Sequence, residues 1–278
     1  MKNAFVRFVR TSKIALFVLL YTGIVNAQEI YTGSDVMYLD SLEHLLRTNP
    51  PEGEKLINIL HKLVSGYRSI DLDKVLNYAR RLAALTEGTE YAVLLLDAYE
   101  GIGTVHYFHN NLDSAIIYFN KSLEAAELMK KSRSSEKNIE DRLSVLYNLM
   151  ANVYNMQGQY QEAISYYFKA LDVFEKYNRT QNQTITYFNI GIIYIPMANY
   201  EEAEVNLLKS ETLALELSDS SYIANAKLGL SFVSTKKKDF DKALEEAEIA
   251  YRYYFTQEEE KLGKIEVLNL LSEIYLKE

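Results

Sequence analysis

The chain has 278 residues, of which 48% are hydrophobic and 24% charged, and its formal net charge is -8 at pH 7. This composition allows a large hydrophobic core, while the acidic balance disfavours binding to nucleic acid phosphates or anionic lipid surfaces. The absence of cysteine excludes disulfides and thiol chemistry, and eleven glycines and three prolines are too few to punctuate many strands and hairpins. An all-helical fold is therefore predicted.

The first 27 residues have the pattern of a secretory signal peptide. Four basic residues precede an apolar run from Ile14 to Val25, and Val25 and Ala27 occupy the small-residue positions of a cleavage site. We expect cleavage after Ala27 and a periplasmic or otherwise extracytoplasmic location. Removing four positive and no negative charges would change the net charge from -8 to -12. The apolar run is shorter than the roughly 20 residues that span a bilayer, so an uncleaved anchor is the less favoured alternative.

After a lead-in segment at residues 28–53, the chain repeats one pattern. The clearest copy is "MANVYNMQGQYQEAISYYFKAL" at residues 150–171, whose small, aromatic and turn positions are Ala151, Tyr154, Gly158, Tyr160, Ala163, Tyr167 and Ala170. The same frame falls on Ala115, Ala203 and Ala243, with a weaker copy on Val75, so the copies are spaced by 40, 48, 40 and 40 residues. Such self-similarity is typical of stacked helical repeats.

This pattern resembles the tetratricopeptide repeat, a pair of antiparallel helices of about 34 residues. The resemblance covers roughly residues 54–276, within a repeat region assigned to 54–278. It implies a right-handed α-solenoid of about five helix pairs plus a terminal helix. Small residues would lie where the two helices of a pair cross. The period of 40 predicts helices longer than the family norm, and the polar residues 130–141 predict an extended loop or frayed helix ends.

The resemblance also implies a concave groove lined by the first helix of each pair. Its groove positions lie three before, one after and four after the small residue of each first helix. In this sequence those positions are Glu100, Thr104, Tyr107, Asn148, Asn152, Asn155, Phe188, Ile192, Ile195, Leu228, Phe232 and Thr235. The asparagines suit gripping a peptide backbone, and the apolar members suit holding its side chains. The alternatives are that the polar face is only solvated and that the apolar residues pack beneath a neighbouring helix.

One subclass of the family is disfavoured by two residues. Members that clamp a terminal carboxylate carry Lys or Arg at groove positions where this chain has Asn225 and Gly229. A peptide or protein partner held in another way is therefore expected.

Catalytic and metal-binding patterns are absent from the sequence. Gly101-Ile102-Gly103 lacks the strand and third glycine of a dinucleotide loop, and His106 and His109 have no third ligand at a suitable spacing. Asp71 and Asp73 are interpreted as helix-capping residues, as are the three glutamates at 258–260. We expect no enzymatic activity, no cofactor and no metal.

The segment "GKIEVLNLLSEIYLKE" at the end of the sequence repeats the first-helix frame on Ser272 without a second helix. It suggests that the natural chain continues, or that this helix forms a cap or a homodimer contact; any membrane tether would have to lie beyond residue 278. The predicted function is an exported, non-enzymatic scaffold that binds a peptide or protein and that resembles the sensory part of bacterial signalling or transcription-regulatory proteins. The alternative is a free periplasmic adaptor for assembly of envelope or secretion complexes.

Overall fold

The computed structural model describes residues 33–131, 136–257 and 261–277, and within these ranges the chain forms twelve α-helices and no strand. The helices are α1 Gly33–Thr48, α2 Gly53–Tyr67, α3 Leu72–Thr86, α4 Ala92–Phe108, α5 Leu112–Lys131, α6 Glu136–Met156, α7 Tyr160–Lys176, α8 Thr180–Tyr194, α9 Tyr200–Leu217, α10 Ser220–Lys237, α11 Phe240–Thr256 and α12 Lys261–Tyr275. The predicted all-helical fold is confirmed. The predicted signal peptide and the glutamates at 258–260 lie outside the described residues.

Capping residues and glycine set the boundaries of several helices. Asp71 accepts a hydrogen bond from the backbone N–H of Lys74 at 3.0 Å and so caps α3, as its position predicts. Asp219 and Asp239 cap α10 and α11 in the same way. Gly158 has a φ of 75° in the turn between α6 and α7, a conformation that costs glycine little. The clearest copy of the repeat, at residues 150–171, is therefore two helices joined at this turn.

The described residues form two compact units, with the boundary within α7. The N-terminal unit extends to Tyr166, and the C-terminal unit begins at Tyr167. In the first unit, α2 packs on α3 and α4 on α5, and the Tyr166 ring stacks on that of Tyr154 across the α6–α7 turn. In the second unit, α8 packs on α9 and α10 on α11, while α12 packs on α11. Each unit has its own cluster of buried apolar side chains.

Small residues lie at the helix crossings, as the repeat frame predicts. The Ser231 hydroxyl of α10 donates to the carbonyl oxygen of Ala243 in α11 at 2.6 Å. A Cβ atom on Gly191 of α8 would lie 3.1 Å from the carbonyl oxygen of Ala203 in α9. Larger side chains at these positions would force the helices apart.

The 48-residue spacing between the second and third helix pairs comes mainly from two longer helices and not from an extended loop. Residues 130–131 end α5 and residues 136–141 begin α6, so most of the polar stretch is helical, and only residues 132–135 lie outside the described chain. These helices have 20 and 21 residues, against 15 to 18 in the others. Lys, Glu and Arg are good helix formers, which explains how a polar stretch without apolar periodicity can be helical.

The lead-in segment contributes a helix of its own. Leu39 and Leu42 of α1 are buried in the N-terminal core, and Leu39 packs against Gly66 of α2. Within the described residues, no helix has the length and apolar character needed to cross a bilayer.

Candidate functional site

The first helices of the N-terminal unit adjoin one another. Helix α4 packs against α2 on one side and α6 on the other. On α4, residues Asp97, Glu100, Thr104 and Tyr107 are separated by three, four and three positions, so they share one face of the helix. Three of these four are among the predicted groove residues.

Asp97 links the three first helices through its carboxylate. This residue is 5% exposed. One oxygen is 2.9 Å from Nε2 of His61 in α2, and the other accepts a hydrogen bond from Nη1 of Arg142 in α6. Charge-assisted hydrogen bonds of this kind are stronger than neutral ones and hold both partners in a defined geometry. The three helices are thus fixed to one another on the side that the resemblance assigns to the groove.

Glu100 forms a second ion pair one turn further along α4. Its carboxylate is buried and accepts a hydrogen bond from Nη1 of Arg68, at the end of α2, at 2.7 Å. The prediction placed Glu100 in the groove as a group that contacts ligand. In the structure, its partner is a guanidinium of the same chain, because a buried carboxylate needs a cation or hydrogen-bond donors to offset its lost hydration.

The two acids are buried, and the side chains bonded to them are partly exposed. The side chains of Asp97 and Glu100 are 8% and 6% exposed, whereas those of Arg142, Arg68 and His61 are 35%, 39% and 31% exposed. A molecule approaching this face therefore meets cationic groups before it meets their counter-ions.

The remaining groove residues of α4 are buried. The Thr104 hydroxyl has no hydrogen-bond partner among the described residues, although its side chain is almost fully buried. The ring of Tyr107 is buried and lies edge-on to that of Phe108, with 5.4 Å between ring centroids. Thr104 is therefore a buried polar group whose hydrogen-bonding capacity is unused within the described residues.

On α6 the three predicted asparagines differ in accessibility. Asn148 is half-buried, while Asn152 and Asn155 are buried. Contact of the asparagines with a ligand stays a prediction, and Asn148 is the member that an approaching peptide reaches most easily.

The predicted groove residues of the C-terminal unit lie mainly in its core. Phe188, Ile192, Ile195 and Leu228 belong to the buried apolar cluster, and Thr235 is buried with its hydroxyl bonded to the carbonyl oxygen of Ser231. Phe232 is half-buried, with Nζ of Lys236 5.8 Å from its ring centroid. The alternative that these apolar residues pack beneath neighbouring helices describes the observed positions.

Sequence reasoning missed the residues that organise the N-terminal face. Asp97 lies three residues before Glu100, in the otherwise apolar run "AVLLLDAYEGIG" of α4. An acid in such a helix is a signal for a buried ion pair. Its partners His61 and Arg142 are 36 and 45 residues away, at distances that differ from the 40-residue period.

The likeness to a known family rests on sequence and structure together. Residues 141–216 match the tetratricopeptide repeat family, and consecutive helices pair as that repeat requires. The family match is confined to these residues, and the fold of the chain is similar to that of a solved tetratricopeptide-repeat protein. No curated protein matches the chain.

Several solved structures are similar to this chain. BtubC from P. vanneervenii is 18% identical, with a TM-score of 0.62, over 79% of this chain and 87% of that one. A Rap protein complexed with competence and sporulation factor is 16% identical, with a TM-score of 0.58, over 95% and 76% of the two chains. YrrB, described as having an unusual peptide-binding site, is 18% identical, with a TM-score of 0.51, over 84% and 99%. At these identities the likeness shows a shared fold.

Proposed function

We propose that this protein is a non-enzymatic scaffold that binds an extended peptide, or an extended segment of another protein, on the first-helix face of its N-terminal unit. The observation that carries the proposal is the link that Asp97 makes between His61 of α2 and Arg142 of α6. Because this link fixes three helices beforehand, a ligand would bind a preformed surface and lose less free energy to ordering it.

Two structural neighbours support a peptide as the ligand. YrrB is described as a tetratricopeptide-repeat protein with a peptide-binding site, and the Rap protein was solved with competence and sporulation factor bound. Binding by these two proteins is an analogy for the present chain, since they share its fold at low sequence identity.

A matched pair of substitutions tests this proposal. The immobilised full chain is incubated with a pool of random octapeptides, and retained peptides are identified by mass spectrometry. We expect Asn148→Ala on α6 to reduce retention, because Asn148 is the accessible asparagine of the face. Asn120→Ala, at an exposed position of the second helix α5, is the control. If the folded wild-type chain retains no peptide, the proposed function is wrong. If both variants behave alike, the binding face is not where we propose.

The proposed setting is outside the cytoplasm, as the extracytoplasmic sensory part of a bacterial signalling protein. Its support is the pattern of residues 1–27, and a free periplasmic adaptor is the alternative. Expression in a bacterial host, followed by cell fractionation and N-terminal sequencing, tests the location. A mature terminus at Gln28 in the periplasmic fraction agrees with it, and an intact Met1 in the cytosol contradicts it. Sequencing the natural gene past codon 278 separates the two roles, because the sensor requires a membrane span there.

A further inference from the structure

Helix α9 carries an apolar stripe on its outer side. Val205, Leu208 and Leu215 are 48%, 43% and 56% exposed, and Thr212, also exposed, lies between the two leucines. These four residues are separated by three, four and three positions, the spacing at which side chains share one narrow face of a helix. The stripe runs for about 15 Å, so it differs from the single exposed apolar side chains that any protein surface has.

The stripe is specific to α9 among the four second helices that match the repeat frame best. The equivalent positions lie two, five, nine and twelve residues after the small residue of each second helix, and all of them are exposed. In each of the other three helices at least two of the four residues are charged, whereas α9 has no charge there. The residues compared are Ile117, Asn120, Glu124 and Glu127 in α5, Ser165, Phe168, Asp172 and Glu175 in α7, and Glu245, Glu248, Arg252 and Phe255 in α11. Folding of the repeat therefore does not require an apolar outer face.

The borders of the α9 stripe are mainly acidic. Glu201, Glu202 and Glu216 are exposed and lie three or four residues from members of the stripe, and Lys209 is the one exposed base at that spacing on this helix. Nζ of Lys237 on α10 lies 3.9 Å from the carboxylate of Glu201, whose side chain is still 78% exposed. A partner that covers the stripe therefore gains most when its own apolar stripe is bordered by lysine or arginine.

We propose that α9 docks an amphipathic helix of a partner protein, one whose apolar stripe of about three turns is bordered by lysine or arginine. Two helices with such stripes pack by interdigitating their apolar side chains, and the bordering charges select the partner. A second copy of this chain fits less well, because pairing α9 with itself would bring acidic borders together. The surface adds a second kind of partner to the scaffold and does not rest on the peptide-binding proposal.

Fluorescence anisotropy with the full chain tests the inference. Three labelled peptides of three heptads serve as probes. The first has leucine at positions a and d and lysine at e and g, the second has glutamate at e and g, and the third keeps the lysines but has glutamine at a and d. Like charges at e and g keep the first two from pairing with themselves. We expect the first peptide to bind at least about tenfold more tightly than either of the others.

Substitutions in the stripe assign binding to α9. Leu208→Gln and, separately, Leu215→Gln should each weaken binding of the first peptide about tenfold, because each removes one leucine from the contact. Ile117→Gln is the control, since this residue is 55% exposed on the outer side of α5. All three positions are exposed, and circular dichroism confirms that each variant is folded.

A charge reversal tests the acidic border. Glu216→Lys should weaken binding of the lysine-bordered peptide and strengthen binding of the glutamate-bordered one. Glu248→Lys, at an exposed position of α11, changes the net charge of the chain equally and should alter neither affinity.

Each contrary outcome overturns a stated part. If the first peptide does not bind, or binds as well without its leucines, the docking surface is wrong. Equal affinity for the lysine-bordered and glutamate-bordered peptides overturns the partner class. If the control variants weaken binding as much as the α9 variants do, the assignment to α9 is wrong. Sedimentation of the full chain as a dimer that Leu208→Gln converts to monomer makes a second copy the occupant and overturns the basic partner. Capture from the random octapeptide pool separately decides the proposed function.

Discussion

Glu266 of α12 gives the sharpest prediction about stability. It is 5% exposed, and neither of its carboxylate oxygens has a hydrogen-bond partner among the described residues. Burial raises the pKa of Glu266 from 4.5 to about 8, so the native protein keeps this group protonated near neutral pH. Replacing it with glutamine removes the titration while nearly preserving the shape.

The sign of the effect follows from the direction of that pKa shift. Below about pH 4.5 both states hold the proton, so the carboxyl makes no pH-dependent contribution. As pH rises toward 8, the unfolded chain releases a proton that the native chain retains, and the free energy of unfolding falls. One pKa unit corresponds to about 1.36 kcal/mol, so the loss between pH 5 and pH 8 is roughly 3 to 4 kcal/mol.

Urea unfolding at pH 5, 6, 7 and 8 measures this loss. We expect the free energy of unfolding of the wild-type chain to decline across the range relative to that of Glu266→Gln, with Glu248→Gln, at an exposed position of α11, behaving like wild type. Amide hydrogen exchange in α12, corrected for its intrinsic pH dependence, detects the same loss if this helix opens before the rest. A wild-type decline that persists unchanged in Glu266→Gln would refute the reasoning.

Three further predictions concern the effects of single substitutions on stability. Gly103→Ala should lower the free energy of unfolding, measured by thermal unfolding, by about 1 to 3 kcal/mol, because its Cβ would lie 2.6 Å from the Phe119 ring. The same substitution in a Phe119→Leu background should lower it less, and an equal decrease there would contradict the close contact. Burial lowers the pKa of His106, so stability should fall below about pH 6.5, and His106→Phe should flatten that fall in urea titrations. Ser231→Ala removes the hydrogen bond to the carbonyl oxygen of Ala243 and should lower the free energy of unfolding, measured by chemical denaturation, by about 1 kcal/mol.

The repeat frame predicted the parts of the fold that depend on local sequence. Small residues at positions such as Gly191 and Ser231 mark crossings because only they allow two helices to approach closely. The cap at Asp71 and the turn at Gly158 were predictable for the same reason, since each depends on a few neighbouring residues.

The candidate site was predicted less well because accessibility depends on distant contacts. The frame placed Glu100 on the predicted groove face of α4, but it could not show that Arg68 of the preceding first helix bonds to the carboxylate. Likewise, the position of Leu228 follows the groove rule, whereas its burial depends on neighbouring helices. The helix α1 has no counterpart in the repeat pattern, so its presence was not predicted.

Photo-crosslinking most directly tests the claim that the first helices of the N-terminal unit bind peptide. A peptide retained from the random octapeptide pool is resynthesised with a central benzophenone amino acid and irradiated with the full chain, and the adducts are mapped by mass spectrometry. The account predicts adducts on α2, α4 and α6 that an excess of unlabelled peptide competes away. Competable adducts confined to the second helices α3 and α5, or to the C-terminal unit, would contradict it.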